Sequence, residues 1–121
     1  MMPTVSELTP GEIFVRNTAY LLRKRRLFLC LLIIEAAERA KLCRKVLAAA
    51  ETGSCLSTID TYHSLADAYG MDYSFLSATY TTVPSHQQLR ELDIMQAQLE
   101  AYKKSHGKIK MNIGTQLELP F

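Results

Sequence analysis

Cysteine is scarce in this sequence. The three present, Cys30, Cys43 and Cys55, are odd in number and show no spacing typical of zinc or redox motifs. They are expected as reduced, largely buried thiols of a cytoplasmic protein. No apolar run is longer than the eight residues Leu27–Ile34, whereas a membrane span needs roughly 20. That run follows Arg23-Lys24-Arg25-Arg26 in the manner of a signal peptide. Its leader is long, however, and no convincing small-x-small cleavage site follows, so it is read as core and no membrane partner is expected. Internal repeats, low-complexity tracts and a glycine-rich phosphate loop are all missing. The net charge of +2 excludes a strongly basic architectural protein. At 121 residues the chain is too short for two cores of normal size, and its 48% hydrophobic and 21% charged residues exclude a disordered chain.

The small net charge hides an asymmetry. Arg16, Arg23, Lys24, Arg25, Arg26, Arg39, Lys41, Arg44 and Lys45 stand in one segment with only Glu35 and Glu38, a local net of +7. From Val46 to Val83 there are four acids and no Lys or Arg. The first of these segments is suited to meet an anion.

Helix signals recur along the chain. Thr9-Pro10-Gly11-Glu12 predicts a capped start, with Ile13, Phe14, Asn17, Tyr20, Leu21 and Lys24 at helical spacing to about Arg26. A second helix is expected to contain Leu31 to Ala40, and a third to run from Arg44 to Glu51 and stop at Gly53. A fourth is expected from about Thr58 to Tyr69, closed by Gly70, and Asp72 caps a short turn carrying Tyr73, Phe75 and Leu76. Ser77 to Pro84 reads as a linker. Ser85 and Gln88 open a longer polar helix to about His106, stopped by Gly107. Lys108 to Ile113 alternates polar and apolar residues, as a short strand or extended arm would.

The fold class predicted is therefore all-α: a compact bundle of about five short helices containing a helix-turn-helix, then one longer C-terminal helix and an extended tail. Residues 1–80 form the helix-turn-helix domain in this reading, and residues 81–121 the part that dimerises or docks on a partner. Several short helices with a basic first half point to double-stranded DNA as a partner.

The segment Ala37-Glu38-Arg39-Ala40-Lys41-Leu42-Cys43-Arg44-Lys45-Val46-Leu47-Ala48-Ala49-Ala50-Glu51-Thr52-Gly53 resembles the helix-turn-helix core of the Cro/C1-type repressors. Ile59 to Met71 resembles that family's next helix, and Leu22-Arg23-Lys24 the end of its first. The resemblance implies a transcription regulator, a repressor of bacterial, phage or plasmid origin, that binds DNA as a homodimer without a cofactor. Cys43 would then cap the recognition helix, and Arg44, Lys45, Ala48 and Ala49 would face the major groove. Lys41 and the cluster Arg23, Lys24, Arg25 and Arg26 would support them on phosphate. The sequence departs from the family in having about three extra residues before the second helix and no Thr-Gln or Ser-Gln pair opening it. Alanines also stand where polar readers are usual.

Two further surfaces are legible. Leu89, Leu92, Met95 or Gln96, Leu99 and Tyr102 form a seam, and Leu89, Leu92, Leu99 and Tyr102 are the expected dimer contacts, with packing inside the chain as the alternative. Gln116-Leu117-Glu118-Leu119-Pro120-Phe121 is similar to the peptide by which replication proteins grip the bacterial sliding clamp. Gln116 would hydrogen bond there while Leu117, Leu119 and Phe121 enter an apolar pocket, so the alternative function is a protein-binding adaptor or inhibitor. Catalysis is not expected. His63, His86 and His106 are isolated, Asp60, Asp67 and Asp72 pair with no nucleophile, and no metal site is spelled out.

Overall fold

The computed structural model describes residues 8–53 and 56–105. Five α-helices carry the chain: α1 (Pro10–Phe28), α2 (Ile33–Ala40), α3 (Arg44–Thr52), α4 (Ile59–Tyr69) and α5 (His86–Ser105). A single 3-10 turn, Ser74–Leu76, lies between α4 and α5, and the described residues contain no strand. The all-α class is as expected. The first helix is longer than expected, at 19 residues against 20 for α5. Gly107, the alternating stretch Lys108–Ile113 and the tail Gln116–Phe121 lie outside the described residues.

The helix starts follow from local chemistry. The Thr9 hydroxyl accepts from the Glu12 amide at 3.1 Å while the Glu12 carboxylate accepts from the Thr9 amide at 2.8 Å, with Pro10 in the first turn. Ser85 and Gln88 make the same reciprocal pair at the start of α5, at 2.8 and 3.1 Å. Thr58 caps α4, its hydroxyl accepting from the Thr61 amide at 3.2 Å. Asp72 accepts from the Ser74 amide at 2.9 Å and so opens the 3-10 turn.

The break between α1 and α2 falls inside the apolar run Leu27–Ile34, with no glycine or proline to mark it. Cys30 takes a left-handed conformation there (φ 60°), and its amide donates to the Leu27 carbonyl at 3.0 Å. The run is consequently not uniform core. Leu27 and Cys30 are buried, but Phe28 is 68% exposed and Ile34 faces solvent; Leu32 is extended (φ −76°, ψ 163°), so α2 begins at Ile33 and excludes Leu31 and Leu32.

Packing proceeds from the buried face of each helix. On α1 this face is Val15, Thr18, Ala19, Leu22, Arg26 and Leu27, at spacings of three and four. Ala36, Ala37 and Ala40 line the inner side of α2, and their small side chains let Leu47 and Ala50 of α3 and Leu65, Ala66 and Tyr69 of α4 approach closely. Tyr62 sits edge-on to Phe14 and Phe75, with ring centroids 6.3 and 6.5 Å away. Gly53 ends α3 in a left-handed turn (φ 72°) directly over α1, where a Cβ would stand 3.3 Å from the Arg16 Cα.

A second, smaller core joins α5 to α1. Leu92 and Leu99 are buried against Leu27 and Cys30, with Tyr20 and Leu32 packed around them. At the far end, the Glu35 carboxylate accepts from the Leu32 amide at 2.8 Å and pairs with the Lys103 ammonium at 3.1 Å. The start of α2 and the end of α5 are thereby held together.

Candidate nucleic-acid interface

Three residues, Lys41, Leu42 and Cys43, separate α2 from α3. Lys41 closes α2 in the left-handed region (φ 58°, ψ 44°), and the Leu42 amide then donates to the Ala37 carbonyl at 2.9 Å. Leu42 turns inward onto the core that Ala37 and Leu47 share, so the apolar turn residue pins the two helices together. Cys43 stands before α3 without a side-chain hydrogen bond to the helix, and it is exposed, where the sequence led us to expect a buried thiol. The first turn of α3 carries Arg44 and Lys45 and no acid. A helix start of this kind presents partly positive amides to its surroundings.

Around this turn stand Arg39, Lys41, Arg44 and Lys45, all exposed and none in a salt bridge among the described residues. Glu38 precedes them in the chain, and Asp67 of α4 lines one hollow with Arg39 and Lys41. Four exposed cations in no salt bridge among the described residues, within seven residues of chain and beside a helix start without a side-chain cap, form a surface suited to phosphate. Arg39 joins the residues singled out from the sequence, and its position at the last turn of α2 is the signal that would have found it.

The run Arg23–Arg26 does not form one basic patch, and the burial of Arg26 corrects the expectation for that residue. Successive helical residues point about 100° apart, so a run of four surrounds α1 and cannot form one patch. Arg23 pairs with Asp93 at 2.7 Å and reaches Gln96 of α5. Arg25 donates to the Tyr69 carbonyl at 3.0 Å, with its guanidinium over the Phe28 ring at 5.3 Å. Arg26 is 1% exposed, and its nitrogens are taken up by Glu51, the Leu31 carbonyl and Gln96. A buried guanidinium with a partner on each of its three nitrogens cannot reach a phosphate. Lys24 alone of the four is exposed; its ammonium lies 5.7 Å from the centre of the Tyr20 ring.

The outer side of α3 is short-chained. Ala48 and Ala49 are half-buried, Val46 is exposed, and the Thr52 hydroxyl donates to the Ala49 carbonyl at 3.1 Å. Glu51 lies on the inner side, where the Tyr69 hydroxyl reaches it at 3.4 Å. Burial first, and then the negative charge of Glu51, hold the Tyr69 phenol well above its ordinary range.

The expected dimer seam on α5 is turned inward. Leu92 and Leu99 lie in the chain's own core, Leu89 and Tyr102 are half-buried, and Ile94 and Met95 are the large apolar residues that α5 exposes. The docking residues Gln116, Leu117, Leu119 and Phe121 lie outside the described residues.

Elsewhere, a groove of 680 Å³ is lined by Phe14, Val15, Leu56, Ile59, Tyr62 and Leu76 among others, and takes no residue from α2 or the α2–α3 turn. His63 stacks on Tyr73, whose hydroxyl is hydrogen-bonded to Asp67. No group of three or more His, Cys, Asp or Glu side chains among the described residues is placed to hold a metal ion. No helix of the described residues is long and apolar enough to cross a membrane. No protein-family model, curated protein or solved structure matches the chain.

Proposed function

We propose that this protein is a small DNA-binding transcription regulator of the Cro/C1-like kind. In this reading α2 and α3 are the helix-turn-helix, and α3 enters the major groove of double-stranded DNA. One observation carries the reading: Arg39, Lys41, Arg44 and Lys45 surround the α2–α3 turn, exposed and without salt bridges among the described residues. Cations that fold stability does not use are available to displace counterions from a phosphate backbone. The uncapped start of α3 adds amide donors to the same surface. Homodimerisation through α5, expected from the Leu89–Tyr102 seam, is left with Ile94 and Met95 as its large exposed apolar residues.

The test is equilibrium binding to labelled duplexes of random and genomic sequence at two salt concentrations. Four phosphate contacts give a log–log salt slope of about −3.6, so affinity should fall about a hundredfold between about 50 and about 200 mM salt. Failure to bind any duplex at low salt, or binding indifferent to salt, refutes the reading.

A further inference from the structure

Beyond its first turn, α3 offers bases little except methyl groups. Lys45, Ala49 and Thr52 follow one line of the helix surface, and Arg44 and Ala48 follow the next, while Leu47 and Ala50 face the core. The long cationic side chains therefore sit at the N-terminal end, and the stretch that would lie deepest in a groove ends in the Ala48 and Ala49 methyls. Thr52, the polar residue of that stretch, turns its hydroxyl proton back onto the Ala49 carbonyl. Val46, 38% exposed, flanks this face with two more methyl groups.

Resting on the reading of α3 as the major-groove helix, we infer that the protein selects DNA by the C5-methyl group of thymine, with Ala48 and Ala49 as the specificity-determining residues. In the major groove thymine presents a methyl group beside its O4 acceptor, whereas guanine, cytosine and adenine present polar edges there. An alanine methyl against a thymine methyl buries apolar surface on both sides. Set against guanine O6 or cytosine N4, the same methyl strips water from a polar atom and gives it no partner, which is unfavourable. Arg44 and Lys45 hold the helix on phosphate, and a side chain as short as alanine lets the α3 backbone come close to the base edges.

The experiment compares alternating poly(dA-dT) with alternating poly(dA-dU) at one salt concentration. The two duplexes share backbone charge and hydrogen-bonding edges and differ in the C5-methyl group. Each buried methyl is worth about fourfold in affinity, so two contacts give a preference of about sixteenfold for the thymine polymer. The comparison is repeated with Ala48→Gly and Ala49→Gly, each checked by thermal melting, and the preference should fall about fourfold in each. Equal affinity of the unmutated protein for the two polymers overturns the inference and leaves the DNA-binding reading standing. A preference that persists undiminished in both glycine variants also overturns it, since the methyl would then act through DNA shape. No binding to either polymer, or to poly(dG-dC), removes the underlying reading itself.

Discussion

The guanidinium of Arg26 and the carboxylate of Glu51 meet at 2.9 and 3.0 Å, on side chains both shut off from solvent. The same guanidinium donates to the Leu31 carbonyl at 2.8 Å and to Gln96 at 3.0 Å, so one residue of α1 ties together the α1–α2 loop, α3 and α5. A buried charge pair stabilises little by itself, because desolvation offsets most of the Coulomb attraction. Breaking it is another matter, since the surviving charge stays buried without a partner.

Arg26→Met and Glu51→Leu should each cost about 3–5 kcal/mol in urea unfolding, and the double substitution should cost much less than their sum. Single variants within ~1 kcal/mol of the unmutated protein would show that water reaches the pair. Arg26→Met should alter DNA affinity only through the loss of folded protein.

Alkaline unfolding gives a second test on the same cluster. Burial and the neighbouring Glu51 charge raise the Tyr69 phenol above its ordinary 10.0, so the fold favours the neutral form. The unfolded chain loses that proton first. The contribution is therefore complete below pH 10.0 and is lost as pH rises from there toward the folded-state value. Tyr69→Phe removes the titration at the cost of one long hydrogen bond. Stability measured from about pH 8 to about pH 11 should fall more steeply in the unmutated protein than in Tyr69→Phe. Cys30, Tyr73 and Tyr80, also held above their ordinary values, are common to both proteins and cancel in the difference. Parallel curves would sink the argument.

What could be read from the sequence depended on how far apart the cooperating residues stand. Thr9 with Glu12, Ser85 with Gln88, and the stops at Gly53 and Gly70 are contacts within one turn of chain, so their patterns predict the observed ends. Arg26 was misread because its partners lie 25 and 70 residues away, and a basic run carries no sign of which member turns inward. The seam on α5 was visible as a stripe, but its partner surface, Leu27 and Cys30 of α1, was not. Among the candidate site residues, Arg44 and Lys45 stand exposed at the start of α3, where the sequence pattern puts them. Among the described residues they are in no salt bridge, and the fold sends the carboxylates of Glu35 and Glu51 to Lys103 and Arg26.

Substitutions on α5 distinguish its two possible uses. Leu92 and Leu99 are each 2% exposed within a single chain. Leu92→Ala or Leu99→Ala should therefore destabilise by about 2–5 kcal/mol through a cavity at the α1–α5 contact. That loss should be the same at low and high protein concentration, because the contact is intramolecular. A loss that grows on dilution would instead place these leucines between two copies, since only an association equilibrium depends on concentration.

The surface proposed to meet DNA should separate cleanly from the residues that hold the fold. Arg44 and Lys45 are exposed and in no salt bridge among the described residues, so Arg44→Ala with Lys45→Ala should leave stability within about 0.5 kcal/mol. Removing two phosphate contacts should lower the magnitude of the salt slope by about 1.8 and weaken binding to every duplex to a similar degree. Arg25→Ala is the control from the same positive segment: its guanidinium is held by the Tyr69 carbonyl, so stability should fall while the slope of the folded protein stays unchanged. The opposite pattern, with the slope lost on changing Arg25 and kept on changing Arg44 and Lys45, would move the interface from the α2–α3 turn to the C-terminal end of α1. The slope discriminates where affinity alone cannot, because a partly unfolded variant binds less without changing how many counterions each folded molecule displaces.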